Sequence, residues 1–278
     1  MRANTNRAMA LAFGDLVEHY DTGRPRLPAN FVTKTMARLG CELGSRQLEV
    51  GAGTGQLTGA LLEMSVHVTA LEPSLAMAAR LRRRFAREVS NGRLEVREER
   101  FEDLDSTSQG GFDHIWSSDA WHWVDLAAGY RLAALVLRPA GRLLSSWGFP
   151  VVADPALADE LNALYTDLSP DLVRAPKGHL DQIAPLLEDG RNEIDRSGHL
   201  TVVDHWMDEA HLNVPVLRYV DWQLSYAHIA AMTASQRRRL ADGITAIMDR
   251  RPNQPAVPVT IWRYTVASAP SGPFRTRE

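Results

Sequence analysis

A chain of 278 residues, 45% hydrophobic and 23% charged, can bury a large core without disulfide or metal staples. Its lone cysteine, Cys41, excludes an internal disulfide and a cysteine-rich zinc site. The balance of 31 basic against 34 acidic residues, net −3, argues against a chain whose main work is gripping nucleic acid. No run approaches the ~18 apolar residues needed to span a bilayer. Met1 to Gly14 holds no apolar run of signal-peptide length, so a reducing cytoplasm is the expected compartment.

From Ser45 to Gly148 short apolar runs alternate with helical stretches. Gln47 to Val50 reads as a strand that ends at glycines, and Gln56 to Met64 as a helix. Val66 to Leu71 is rich in β-branched residues and ends at Glu72-Pro73. Ser74 caps a helix running to about Val89. Strands follow at Arg93–Val96 and Phe112–Trp116. A helix covers Asp125–Leu137, then Pro139-Ala140-Gly141 turns the chain into a strand at Arg142–Trp147. This order predicts an open α/β sheet with mainly parallel strands. Beyond Phe149, Pro155 to Leu187 is helical and broken by Pro170, Pro176 and Pro185. A short strand at Leu200–Val203, helices at Val214–Met232 and Ser235–Arg250, and a strand at Val257–Ala267 complete the pattern.

The sharpest feature is Glu49-Val50-Gly51-Ala52-Gly53-Thr54-Gly55, placed where a strand hands over to a helix. Glycines there let the backbone approach a ligand, and free N–H groups at a helix start favour an electron-rich group. Glu72 ends the next strand, 17 residues after Gly55, where a carboxylate accepts from both hydroxyls of an adenosine ribose. The spacing G-x-G-x-G, with Gln56 in place of a later glycine, departs from the dinucleotide fingerprint.

Together with Phe101-Glu102-Asp103-Leu104, Trp121-His122-Trp123-Val124 and Leu137-Arg138-Pro139-Ala140-Gly141-Arg142-Leu143, this loop resembles the class I S-adenosylmethionine-dependent methyltransferases. Tyr20-Asp21-Thr22-Gly23-Arg24-Pro25 is similar to a segment that precedes the core in their small-molecule members. The resemblance implies a Rossmann-like seven-stranded sheet of order 3-2-1-4-5-7-6, with an N-terminal helical lid and a helical cap insertion. It divides the chain into a lid (1–44), a cofactor-binding core (45–149), a cap (150–199), the last strands and helices (200–269) and a tail (270–278).

It also implies S-adenosylmethionine as cofactor. Gly51, Ala52, Gly53 and Gly55 are expected to line its methionine and ribose, Glu49 to position its amino group and Glu72 to hold the ribose. Pro73, Ser74 and Met77 are expected near the adenine, with Phe101 and Glu102 at its edge. Ser117 or Ser118 falls beneath the methionine, Trp121 on the pocket wall, and Tyr20 and Arg24 over the cofactor, Arg24 toward its carboxylate.

Methyl transfer to a hydroxyl needs a proton acceptor, and His122, just past the fourth strand, suits that role or a structural one. His199, His205 and His211, six apart, do not fit a metal site, while His179 and His228 are either surface or substrate-facing. The arginine run from Arg80 to Arg87 reads as a solvated helix face. The expected partner is a small-molecule acceptor, with no nucleic acid and no membrane, and a homo-oligomer is left open. The arginine-rich, lysine-poor coding associates the chain with specialised metabolism. Two alternatives stand beside this reading: a binder of the same cofactor that transfers no methyl, and a nucleic-acid methyltransferase.

Overall fold

The computed structural model describes residues 17–44, 46–105, 111–168, 180–230 and 232–271. His179 and most of the expected tail fall outside them. Seven strands form one sheet in the order β3-β2-β1-β4-β5-β7-β6. These are β1 (Arg46–Val50), β2 (His67–Leu71), β3 (Leu94–Arg97), β4 (Phe112–Ser118), β5 (Leu137–Val152), β6 (Leu200–Pro215) and β7 (Ala256–Pro270). The first five pair parallel, and β7 runs antiparallel between β5 and β6.

Successive residues of a strand face opposite sides, and both sides here are apolar. Ile115 and Leu143 face one side with α6 (Leu126–Val136), where Leu132 and Val136 are buried. Trp116 and Leu144 face the other, against α2 (Ala29–Leu39), α3 (Thr58–Glu63) and α4 (Leu75–Arg84). The expected run from Ser74 to Val89 divides at Phe85 into α4 and a single turn, α5 (Ala86–Ser90). The Ser74 hydroxyl caps α4 by accepting from the Met77 N–H.

β5 and β6 are far longer than the sequence pattern suggests, and β7 extends a few residues past it. The strand expected over four residues spans sixteen, Leu200 to Pro215. It is an edge strand with one exposed face, and Asp204, Asp208 and Glu209 on it interrupt the apolar signal. The expected turn at Pro139-Ala140-Gly141 is an irregularity inside β5, with Ala140 at φ +67° and a register shift opposite β4.

A third apolar cluster sits where β5 and β7 run beyond the parallel sheet. It joins α7 (Pro155–Leu168), α9 (Val216–Leu224) and α11 (Ala234–Asp249) to Val257, Val259 and Ile261. In contrast, α8 (Leu180–Arg196) packs on β6, and the expected break at Pro185 falls inside it. Leu187 and Ile194 on one face of α8 pack into the core and favour helix through the proline. The single helix expected from Val214 to Met232 stops at Leu224. A turn and the short α10 (Ala227–Ala230) follow.

At the other end of the chain, α1 (Val17–Gly23) docks on α9. His19 Nδ1 lies 2.8 Å from Asp221 Oδ1, and the Thr22 hydroxyl donates to Asp221 Oδ2 at 2.7 Å. The arginine run proves to be more than a solvated face. Arg80 and Arg84 both pair with Asp21, and Arg84 also donates to the Thr54 carbonyl. The conformation of the glycine loop is thereby tied to the N-terminal segment.

Candidate active site

The glycine loop crosses from β1 to α3 with Gly51, Gly53 and Gly55 all at positive φ, a region in which other residues are strained. A Cβ on Gly51 would lie 2.3 Å from the Ala120 Cβ, so the loop after β4 packs directly on it. A Cβ on Gly55 would strike Phe85 and Leu81 of the α4–α5 region.

The N–H groups of this loop are spent internally, contrary to the expectation of free donors. Those of Gly51 and Ala52 both donate to the Leu71 carbonyl at 3.0 Å, and that of Gly55 to the Ala52 carbonyl. The Gly53 N–H donates to Glu72 Oε2 at 2.8 Å. A loop arranged in this way does not cradle a phosphate. What it offers is acceptors.

Glu72 takes one N–H on each oxygen, from Gly53 and Ser74. A carboxylate has about four acceptor positions, so two remain for a diol. Glu49 is buried in β1 and accepts from the Thr58 hydroxyl at 2.6 Å. Burial pushes its carboxyl up to about 8, against the Thr58 hydrogen bonds that hold it down. Among the described residues no cation pairs with Glu49 or Glu72, and such acceptors suit a ligand that carries an ammonium group and a ribose, so the residues fit the expected cofactor.

A cleft of about 800 Å³ runs along the ends of the parallel strands. Leu71, Glu72, Pro73, Met77 and Phe101 line one part of it, and Glu102 joins them with its carboxylate held by Arg100 and the Asp125 N–H. Gly51, Gly53, Tyr20 and Arg24 line it as well. Ala52, Glu49 and Ser118 border a smaller adjoining cavity. The Tyr20 ring stands over Gly53, at 3.4 Å from the position a Cβ would take. Arg24 lies between two aromatic faces, 5.2 Å from the Tyr20 centroid and 4.3 Å from that of Tyr226, and its Nε donates to the Ser225 hydroxyl.

Four expected residues stand outside both cavities. Ser74 is consumed as a helix cap, Gly55 packs on Phe85, and the Ser117 hydroxyl donates to the Val50 carbonyl. Trp121 is buried in the core between Phe101 and Tyr130. The Trp-His-Trp run is a single turn of 3-10 helix, in which successive side chains diverge by about 120°. His122 and Trp123 therefore reach the cleft while Trp121 points inward.

His122 Nδ1 accepts from the Trp147 indole N–H at 3.3 Å. An indole is a donor only, so a neutral His122 carries its proton on Nε2. Burial in the cleft wall lowers its pKa, opposed by Asp119, and so favours that neutral form. In this tautomer His122 offers the cleft a hydrogen-bond donor rather than a base.

Asp119, Trp147, Phe149 and Tyr226, which belong to no site motif, also line the cleft. Asp119, at φ +57°, accepts from the Gly148 N–H on one oxygen and faces Arg263 of β7 on the other. A positive φ for a non-glycine residue is the kind of signal that only coordinates supply.

An open α/β sheet with its ligand cleft at the carboxyl ends of the strands, in this order and with one antiparallel strand, is the class I methyltransferase architecture. Residues 48–145 match the family model described as a methyltransferase domain. The chain is 36% identical over 143 residues to an uncharacterised methyltransferase of Mycobacterium tuberculosis, an alignment covering 51% of this chain and 54% of that one. It is 28% identical over 130 residues to a candidate S-adenosylmethionine-dependent methyltransferase of Saccharomyces cerevisiae, covering 44% and 42%. The chain thus spans about half the length of the curated relatives it matches. A solved structure of a candidate type II methyltransferase from Anaeromyxobacter dehalogenans superposes with a TM-score of 0.63 at 18% identity, over 90% of this chain and 99% of that one. Residues 48–145 thus match a methyltransferase domain, and the fold around them is that of the class I methyltransferases.

The Glu49 carboxyl gives a pH signature. An acid whose pKa rises on folding contributes stability that is present below its unfolded value, 4.5, and lost as the pH climbs through about 8. Glu49→Gln removes this loss. The melting temperature of the variant is expected to fall less steeply than that of the wild type between pH 5 and pH 8, as followed by circular dichroism, and parallel curves would refute the raised pKa.

Proposed function

We propose that this protein transfers the methyl group of S-adenosylmethionine to a small-molecule acceptor bound in the cleft. The observation that carries this reading is the cleft itself. Its volume of about 800 Å³ lies in the range of roughly 300–1,000 Å³ typical of small-molecule sites, and it continues past the glycine loop to Trp147, Phe149 and Tyr226. When bound, the cofactor supplies an electrophilic methyl group on a positively charged sulfur. Glu72 accepts from the ribose hydroxyls, Glu49 faces the amino group, and Arg24 faces the carboxylate. Tyr20 and Tyr226 close over the site and keep water out.

The lid in this reading is α1 with the Arg24–Pro28 segment, held down by α9. The cap expected over 150–199 divides in this reading: α7 groups with α9, α11 and the linker around α10, whereas α8 lies on β6. Glu98, Glu99, Glu102, Asp103 and Asp125 line the cleft, and this acidic rim disfavours a nucleic-acid acceptor. A specialised metabolite as acceptor rests only on the coding bias noted above.

The direct test is calorimetry with S-adenosylhomocysteine, followed by incubation of the protein with methyl-labelled S-adenosylmethionine and a pool of small metabolites. Binding and a labelled small product are expected. Binding without any labelled product refutes methyl transfer, and absence of binding refutes the site. The His122 tautomer adds an expectation. His122→Ala leaves the pH dependence of kcat/KM unaltered, because a donor does not titrate as the base. Loss of an acidic limb in the pH profile would restore His122 as the proton acceptor.

A further inference from the structure

Past the glycine loop the cleft is bounded by the Trp-His-Trp turn, by Trp147 to Phe149 of β5, and by the linker that follows α9. Two imidazoles reach it. His122 has its Nδ1 occupied by the Trp147 indole, which leaves it a donor. His228, on α10, is placed otherwise. Its ring stacks on Tyr226 with centroids 5.4 Å apart and planes 26° apart. Among the described residues neither of its ring nitrogens has a hydrogen-bond partner. Its backbone is anchored on both sides. The Ser225 hydroxyl donates to the Trp222 carbonyl, and Ile229 is fully buried.

The chemistry of this part of the cleft is narrow. Trp147, Phe149 and Tyr226 supply aromatic walls. The carboxylate nearest to them, Asp119, is committed to the Gly148 N–H and to Arg263. Arg24 is held between the Tyr20 and Tyr226 rings. Such walls favour a flat ring through stacking, and the Arg24 cation already on the Tyr226 face repels a second cation there. A cationic acceptor would find no uncommitted carboxylate beside Tyr226.

Resting on the function proposed above, we infer that the acceptor is an aromatic hydroxyl compound and that His228 is the catalytic residue that takes its proton. The acceptor oxygen forms the new bond to the methyl carbon, the carbon–sulfur bond breaks with its electron pair on sulfur, and the hydroxyl proton passes to the free imidazole nitrogen. Burial and the neighbouring Arg24 lower the His228 pKa, so the ring is neutral and ready to accept near neutral pH. The other groups around it are Tyr226 beside it, and Asp119 and His122 in the same cleft.

The test uses the full chain, methyl-labelled S-adenosylmethionine and 4-cresol as probe, because a simple phenol stays protonated below about pH 8. Wild-type kcat/KM for labelled transfer to the probe is expected to fall on the acid side as one imidazole protonates, and spectra of 15N-histidine-labelled wild type should show a ring titrating over the same range. His228→Gln is expected to bind the probe within about threefold of wild type, to transfer methyl about 100-fold more slowly and to lose the acid limb, whereas His122→Gln keeps that limb. An unaltered acid limb in His228→Gln overturns the base. So does a wild type in which no histidine titrates over the range of the limb, which requires no variant to fold. A wild type that binds S-adenosylhomocysteine but not the probe overturns the aromatic acceptor. Failure to bind S-adenosylhomocysteine strikes the proposed function instead.

Discussion

Glu72→Ala lowers the affinity for S-adenosylhomocysteine by about 100-fold or more. Hydrogen bonds to a charged acceptor contribute about 1.5–3 kcal/mol each, and a ribose diol would make two with this carboxylate. Each 1.4 kcal/mol is a factor of ten. The same substitution strips the Gly53 and Ser74 N–H groups of their acceptor inside a buried turn. The free protein therefore also melts lower, by an amount set by two unsatisfied donors at about 1–3 kcal/mol each. Calorimetry on the folded fraction separates the two effects. Wild-type affinity in a folded Glu72→Ala protein would remove Glu72 from the cofactor site.

Gly23→Ala is expected to be the most damaging substitution of a single methyl group in the lid. A Cβ there would lie 2.2 Å from the Trp222 backbone nitrogen, and backbone cannot swing aside as a side-chain tip can. Overpacking of this kind costs about 1–3 kcal/mol. Relief requires α1 to lift from α9, which breaks the bonds of His19 and Thr22 to Asp221 and withdraws Arg24 from between its two rings. Stability and cofactor affinity should fall together. Gly190→Ala is the control. Nothing lies within 4 Å of its added Cβ inside α8, so a stability gain of about 0.5–1 kcal/mol is expected there. If denaturant melts give Gly23→Ala the same stability as wild type, the close docking of the lid is wrong.

The parts legible in the sequence are those where local rules and global position agree. The glycine loop, Glu72 at the end of β2 and the alternation up to Trp147 placed β1 to β5, since each carries its own periodicity or turn chemistry. The edge strand β6 reads short because an exposed edge tolerates Asp204, Asp208 and Glu209, so the apolar signal lapses while the backbone ladder continues. The family resemblance places Ser74, Gly55 and Ser117 at the ligand, yet each is spent on its neighbours, and only for Ser74 does the sequence also offer that second role, as a helix cap. Tyr226, His228 and Arg263 carry no motif, because they reach the cleft through the docking of α9 and the length of β7, two long-range facts. Asp21 stands in the Tyr20–Pro25 segment, yet its ion pairs with Arg80 and Arg84 bridge about sixty residues.

The lid is synthesised about two hundred residues before its dock. His19 meets Asp221 across 202 positions, and Arg24 meets Ser225 across 201. A nascent chain emerging from the ribosome can build β1 to β5 around the glycine loop early. Its N-terminal helix has nowhere to settle until α9 has followed. Long-separated contacts are slow to form and leave apolar surface waiting. The sheet should therefore be the early folding unit, with the ligand cleft its last product. A translation arrest before Asp221 would leave a chain with the glycine loop in place and no lid to cover it.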